Sequence, residues 1–255
     1  MRRPALKTLD DVVSLGREVV ECGYRALKTN LLLFGASGAR RYAPRAGPQA
    51  PALTAPPHLQ RALGEQLAAL RTGTAGEVEL LVDLGANFRA QGALGMARAI
   101  EPYVPTWLEV ELHNAAALRY LRERTSVPIA AGESLRSREY HDLLRGGSVD
   151  VIIIDVLFNG LLESLHVAAA CAAYDVNVAV HNCYSPLATA IAAAFCAAVP
   201  NVHMLEYDVD EVPWNADFIT QSLEIQDGEL NVPRRPGWGT DVNEEAVRAH
   251  PGRAD

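Results

Sequence analysis

The chain has 255 residues, 49% hydrophobic and 21% charged, with a formal net charge of −8 at pH 7. That length suits one large core, and the composition is that of an ordinary globular protein. The negative charge and the lack of a basic stripe argue against a nucleic-acid binder, since the densest basic spot (Arg40, Arg41, Arg45) lies in a Pro- and Gly-rich stretch and reads as a solvated loop.

Thr8 opens TLDD, a capping residue with acids in the first turn, and Leu9, Val12, Val13, Val19 and Val20 follow on a helical period until Gly23. YRALKTNLLLF reads as a strand, with Lys28 and Asn30 two apart and so on one side of it. Residues 34–57 are rich in Gly, Ala and Pro without periodicity and predict a long surface loop of the kind that covers a site. A helix over 58–71 carries Leu59, Leu63, Leu67 and Leu70 on one stripe. Strand and helix then alternate: ELLVD, a helix over 92–103, TWLEVE, a helix over 115–124, VPIAAGE, and a helix over 137–146. The alternation continues with VDVIIIDV, a helix over 161–174, VNVAVHN, a helix over 186–198, and VHMLEYD. The tail offers a hairpin around Asp227-Gly228 in LEIQDGELNV and a short helix in NEEAVRAH.

Seven strands alternating with helices predict an α/β fold, and runs such as VIIID are apolar throughout, as strands buried on both faces must be. Polar residues recur at the C-terminal strand ends: Lys28 and Asn30, Asp83, Glu109, Glu133, Asp155, His181 and Glu206. That recurrence favours a TIM-like (β/α) barrel over an open sheet. No Gly-x-Gly-x-x-Gly follows the early strands, which leaves a dinucleotide fold little support. A helix leading into a strand is an odd opening for a barrel. The expectation is an incomplete barrel over 1–222, without its first strand, and a tail over 223–255 that packs against something else.

Asp83, Glu109 and Glu133 each end a short apolar run and lie about 25 residues apart, the length of one strand-helix unit. In a parallel barrel all three emerge at one rim. Three convergent carboxylates repel one another unless a cation sits between them, and hard oxygen ligands suit Mg²⁺.

Cys22, Cys171, Cys183 and Cys196 show no C-x-x-C spacing, the N-terminus has no apolar signal core, and the longest apolar run, 187–199, is too short to span a bilayer. A soluble cytoplasmic protein is expected.

The segments GYRALKTN, LLVDLGANF, WLEVE, PIAAGES, VDVIIIDV, AVHNCYSP, VPNVHMLEYD and PGWGTDVNEEAVRAH give the chain a resemblance to the mandelate racemase branch of the enolase superfamily. It covers nearly the whole chain, and the texture looks nearest to acid-sugar dehydratases of the galactonate dehydratase type. The resemblance implies that Asp83, Glu109 and Glu133 hold Mg²⁺, that His181 is the general acid/base and that Asp155 is its partner. It implies for Glu206 a hydrogen bond to the developing enediolate, or a salt bridge at the rim. Lys28 matches the first lysine of a Lys-x-Lys strand and would act opposite His181 or neutralise the substrate carboxylate. Asn30 and Asn182 are expected to contact substrate.

Three positions depart from the pattern. Asn30 replaces the second lysine and cannot take a proton, Gly85 stands where related dehydratases carry His or Asn, and Val110 stands where a second Glu is usual. Complete members also begin with an α+β capping domain and a first barrel strand, which the resemblance places ahead of residue 1. The expected reaction is dehydration of a hydroxylated sugar acid, because a single dyad can abstract the α-proton and protonate the departing hydroxyl. A racemase or epimerase of a 2-hydroxy acid, and a truncated non-catalytic member, are the alternatives. The expected partners are a small sugar acid and, in the full-length form, further copies of the chain, with no nucleic acid and no membrane.

Overall fold

The computed structural model describes residues 6–44, 50–209 and 214–251, so Arg45, the first five residues and part of the expected loop lie outside the described residues. Helix α1 (Leu9–Glu21) starts with a reciprocal cap: Asp11 N–H donates to Thr8 Oγ1 at 3.3 Å, and Asp11 Oδ2 accepts from Thr8 N–H at 2.9 Å. Strand β1 (Ala26–Asn30) follows.

Two expectations need correction here. The first strand stops at Asn30, and residues 34–57 are not all loop. Strands β2 (Leu32–Gly35) and β3 (Gly38–Arg41) form an antiparallel hairpin with Leu32 opposite Arg41. The break has a physical cause in helix α2 (Pro57–Gly73). Its buried Gln66 donates to Asn30 O at 2.8 Å and accepts from Leu32 N–H at 3.0 Å, which satisfies the backbone on either side of Leu31. Helices α1 and α2 touch through glycines, since a Cβ on Gly73 would lie 2.2 Å from Val13 O.

From there the alternation runs as expected. It comprises β4 (Glu79–Asp83), α3 (Ala90–Ile100), β5 (Trp107–Glu109), α4 (Ala115–Arg122), β6 (Ile129–Ala131) and α5 (Glu139–Arg145). Then come β7 (Val151–Ile154), the single turn α6 (Val156–Asn159), α7 (Leu161–Ala173), β8 (Asn177–Val180), α8 (Pro186–Ala198) and β9 (Val202–Leu205). Seven strands pair in parallel in the order β1-β4-β5-β6-β7-β8-β9. Among the described residues β1 and β9 do not pair with each other. The sheet nevertheless curls until its edges face, with Nζ of Lys28, the middle residue of β1, only 3.0 Å from Glu206 Oε1 just past the end of β9. Among the described residues this is a seven-stranded sheet curled as a TIM-like (β/α) barrel whose edges do not pair.

Side chains divide by strand parity. Leu80, Val82, Leu108, Ile129, Ile152, Ile154, Val178 and Val180 pack outward in one cluster with the helices. Leu81, Trp107, Ala130, Val151, Ile153 and Ala179 form a separate inner cluster, joined by Ala26 and Met204. The inner residues fix where the next polar side chain goes. Two residues on from Ala26, Leu81, Trp107, Ile153, Ala179 and Met204 stand Lys28, Asp83, Glu109, Asp155, His181 and Glu206. Each inherits the inward direction and emerges at one rim.

The tail hairpin, β10 (Ile225–Gln226) with β11 (Glu229–Leu230), turns at Asp227-Gly228 as expected. It packs on the α1–β1 turn, where a Cβ on Gly228 would lie 2.6 Å from Gly23 O. The tail ends in α9 (Glu244–Ala249), and Ile219 bridges Val242, so residues on either side of position 222 are hydrogen-bonded to one another. Among the described residues no helix is long and apolar enough to cross a membrane.

Candidate active site

Strand register brings the polar ends together. Asn30 lies opposite Asp83 and Asp83 opposite Glu109 on neighbouring strands. Glu133 breaks the parity rule, standing three residues after the inward Ala130, and Gly132 makes up the difference. Its φ of +125° re-aims the chain, and a Cβ there would meet Ile153 O and the Tyr140 ring, both at 3.1 Å.

Each acid has its own partner. Asp83 accepts from Asn30 Nδ2 at 2.8 Å and from Gly85 N–H at 2.6 Å, and Arg41 Nη2 stands 3.5 Å away. Glu109, 1% exposed, pairs with Lys28 Nζ at 3.1 Å through Oε2, while its Oε1 has no hydrogen-bond partner among the described residues. Glu133 faces His181 Nε2 at 3.6 Å. Lys28 is shared with Glu206, which also accepts from Asn182 N–H at 3.2 Å. Glu206 therefore makes the rim salt bridge.

Burial pushes the Glu109 carboxyl up, to about 8, with Lys28 opposing and Asp83 and Glu133 adding to the rise. Glu133 is also raised, by burial first and then by Glu111 and Asp83 against the pull of His181. Burial works against the Lys28 charge, but Glu109, Glu206 and Asp83 overcome it and hold the ammonium above the usual lysine range.

Across the rim, His181 Nδ1 is 3.0 Å from Asp155 Oδ2, the oxygen that also accepts from the Tyr184 hydroxyl. Asp155 Oδ1 caps α6 by accepting from Phe158 N–H at 2.8 Å. These three hydrogen bonds outweigh burial and hold Asp155 below the usual carboxylate range. Burial opposes the His181 charge, yet Asp155 and Glu133 raise it above an ordinary histidine.

Of the two expected substrate contacts, Asn30 is spent on Asp83. Asn182 is 2% exposed, its Nδ2 donating to Thr189 Oγ1 at 2.9 Å and Glu206 O at 3.0 Å. Asn30 thus holds the Asp83 carboxylate, and Asn182 holds Glu206 through its backbone carbonyl.

The donor set suits a divalent cation. Asp83 and Glu133 push the Glu109 carboxyl up, Asp83 does the same to Glu133, and a buried oxygen of Glu109 lacks a hydrogen-bond partner among the described residues. Among the described residues no three such side chains are already gathered around one point, because Arg41, Lys28 and His181 each hold one of the acids.

A sequence family described as enolase C-terminal domain-like matches residues 11–246. The chain belongs to that family. It is 35% identical over 243 residues to a D-gluconate dehydratase from Thermoproteus tenax, which covers 92% of this chain and 46% of the relative. It is 31% identical over 206 residues to a D-galactonate dehydratase from Ralstonia nicotianae, covering 71% of this chain and 50% of that protein. The chain thus spans about half the length of the curated relatives it matches. A candidate L-alanine-DL-glutamate epimerase from Burkholderia xenovorans, solved with magnesium and fumarate, superposes with a TM-score of 0.94 at 38% identity, covering 98% of this chain and 63% of that one. The resemblance drawn from the motifs is borne out, and the barrel is of the enolase C-terminal type.

Several rim residues escaped the sequence reading. Arg41 passed for a solvated loop residue because its strand has no apolar run. Tyr184 lies in NCYSP, where nothing in the sequence marks a contact with Asp155. Glu111 and His113, past the end of β5, meet Ser134 beside Glu133, with His113 Nε2 2.9 Å from the serine hydroxyl.

Proposed function

We propose that this rim abstracts the proton α to a carboxylate and then expels water from a hydroxylated sugar acid, with Mg²⁺ as cofactor. One observation carries the reading: His181 is anchored through Nδ1 on Asp155 while Nε2 faces the acid cluster at Glu133. With Nδ1–H donating to Asp155, Nε2 is left as the acceptor nitrogen, beside Glu133 and 3.5 Å from Cys183 Sγ, where a substrate held by the acids would meet it.

Asp83, Glu109 and Glu133 would hold the ion, which when bound supplies electrostatic stabilisation of the charge developing on the substrate carboxylate. His181 Nε2 takes the α-proton, and the C–H electron pair moves into the enediolate. The charged imidazole then protonates the β-hydroxyl as the C–O bond breaks, and water leaves. The resulting enol tautomerises to a 2-keto-3-deoxy acid, so no oxidant or reductant is needed. Asp155 keeps the imidazole in place through both transfers.

Lys28 favours elimination over racemisation. A second base would have to be a neutral amine, whereas Lys28 is ion-paired with both Glu109 and Glu206. Its part in this reading is to offset negative charge beneath the substrate. The D-gluconate and D-galactonate dehydratases among the relatives agree with a sugar-acid substrate.

The test is to incubate the purified chain with MgCl₂ and a panel of aldonic acids and assay 2-keto-3-deoxy acid. We expect product with at least one acid, and a fall of about a thousandfold in His181→Asn, within the range for loss of a general acid/base. An epimer without keto acid would point to the racemase alternative. Mg²⁺ binding without turnover of any acid would point to a non-catalytic chain.

A further inference from the structure

We infer that Arg41 is a substrate-binding residue of this rim, its guanidinium taking the acid group of the substrate; this deepens the reading above and rests on it. The side chain is delivered by a fixed piece of backbone. Hairpin β2–β3 follows β1 after one residue, and Tyr42 N–H closes it onto Leu31 O at 2.8 Å. On the far side Asn87 Nδ2 donates to Tyr42 O at 3.0 Å, and the Tyr42 ring packs on Phe88 with centroids 5.8 Å apart. Arg41 is thus pinned beside the rim rather than waving from a loop.

Its donors are not used up there. The contact with Asp83 is a single 3.5 Å approach, beyond good hydrogen-bond length, and the side chain is 54% exposed. Asp83 has no need of it, being satisfied by Asn30 at 2.8 Å and Gly85 at 2.6 Å. Simple neutralisation of Asp83 therefore explains the placement poorly.

Gly85 supplies the room. At φ +53° it carries no side chain, and a Cβ added there would already lie 3.8 Å from Arg41 Nη2. That is ordinary contact, so a longer side chain running the same way would meet the guanidinium. The sequence departure at Gly85 and the unexpected arginine are thus two sides of one arrangement.

The rim holds Asp83, Glu109, Glu133 and Glu206, and Lys28 is engaged by two of them. Beside the ion of the proposed reading, which would offset the acids that hold it, Arg41 is a rim cation with donors to spare for an anionic substrate. A planar guanidinium fork matches a carboxylate in two parallel hydrogen bonds, which an ammonium does not.

The test is calorimetric titration of D-gluconate, and separately of fumarate, into the Mg²⁺-saturated full chain and its Arg41→Gln and Arg41→Lys variants. Mg²⁺ is also titrated alone into each protein. Loss of a charge-assisted pair should raise the acid's dissociation constant roughly 10- to 100-fold in Arg41→Gln, with Lys rescuing only part and Mg²⁺ affinity not weakened. Gly85→Asn, a residue that tolerates left-handed backbone, should weaken acid binding likewise, and the double variant should add nothing further. Acid binding unchanged in Arg41→Gln overturns the inference while leaving the functional reading intact. An effect on Mg²⁺ affinity alone also overturns it. Failure of the unaltered chain to bind any acid in the panel overturns the functional reading, and this inference with it.

Discussion

Asp155 shows how much one side chain can be asked to do. One oxygen caps α6 and the other takes both the His181 imidazole and the Tyr184 hydroxyl, so a cap, a tautomer lock and a third anchor coincide. Tyr184→Phe removes the third anchor alone. Because Tyr184 is 41% exposed, the loss should be modest, about 1 kcal/mol or a fivefold fall in kcat with KM little changed. Steady-state kinetics on the acid that turns over would check this. Glu109 makes the opposite case. Burial disfavours its charged form and one oxygen is unpartnered, so Glu109→Gln should raise the melting temperature of the metal-free chain while reducing the rise that Mg²⁺ gives. Thermal melts with and without MgCl₂ would separate the two effects. At this scale the sequence disclosed which residues stand at strand ends, because an apolar run followed by a polar residue is a local pattern. It did not disclose Arg41, Tyr184 or the burial of Asn182, since those depend on where one loop lies over another strand's end.

At the scale of elements, alternation did most of the placing. Six of the rim residues follow an inward core residue by two positions, so parity alone aims them. Glu133 is the exception, and it depends on Gly132. Gly132→Ala forces a Cβ to within 3.1 Å of Ile153 O in a backbone conformation that side chains rarely adopt. It should cost about 1–3 kcal/mol and weaken Mg²⁺ binding together, measurable by denaturant unfolding and by titration. The β2–β3 hairpin was illegible because residues 32–34 read as a continuation of β1 and Gly38–Arg41 carries no apolar period. What fixes it is Gln66, a side chain on a helix 34 residues further on from Leu32. Gln66→Ala would strand the Leu32 N–H and Asn30 O and should destabilise by roughly 1–3 kcal/mol, loosening the strand that bears Lys28.

For the whole molecule, the barrel type follows from strand count, apolar runs and order, and the sequence carried all three. The curl that brings β1 and β9 face to face without pairing is a tertiary result, seen in the Lys28–Glu206 contact. Edge strands lack ladder partners on one side, so hydrogen exchange should be slower for β4 to β8 than for β1 and β9. The acid limb of stability has at least one named contributor outside the rim. Glu101 accepts from Ser126 N–H at 2.9 Å and from the Thr125 hydroxyl at 2.8 Å, and these bonds hold its carboxyl below the ordinary value of 4.5. With the folded value below the unfolded one, that contribution is complete above the unfolded pKa and disappears as pH falls through the folded one. Glu101→Gln should therefore flatten the loss of stability on acidification below about pH 4.5, and a pH series of melts would register it.

In the proposed reading Asp83, Glu109 and Glu133, delivered by three neighbouring strands, would make one cation site. Calorimetric titration of MgCl₂ into the chain, beside Glu109→Gln, tests it most directly. The account predicts saturable binding of one ion per chain, weakened roughly tenfold or more when the buried ligand loses its charge. No saturable binding, or equal binding in Glu109→Gln, would contradict it.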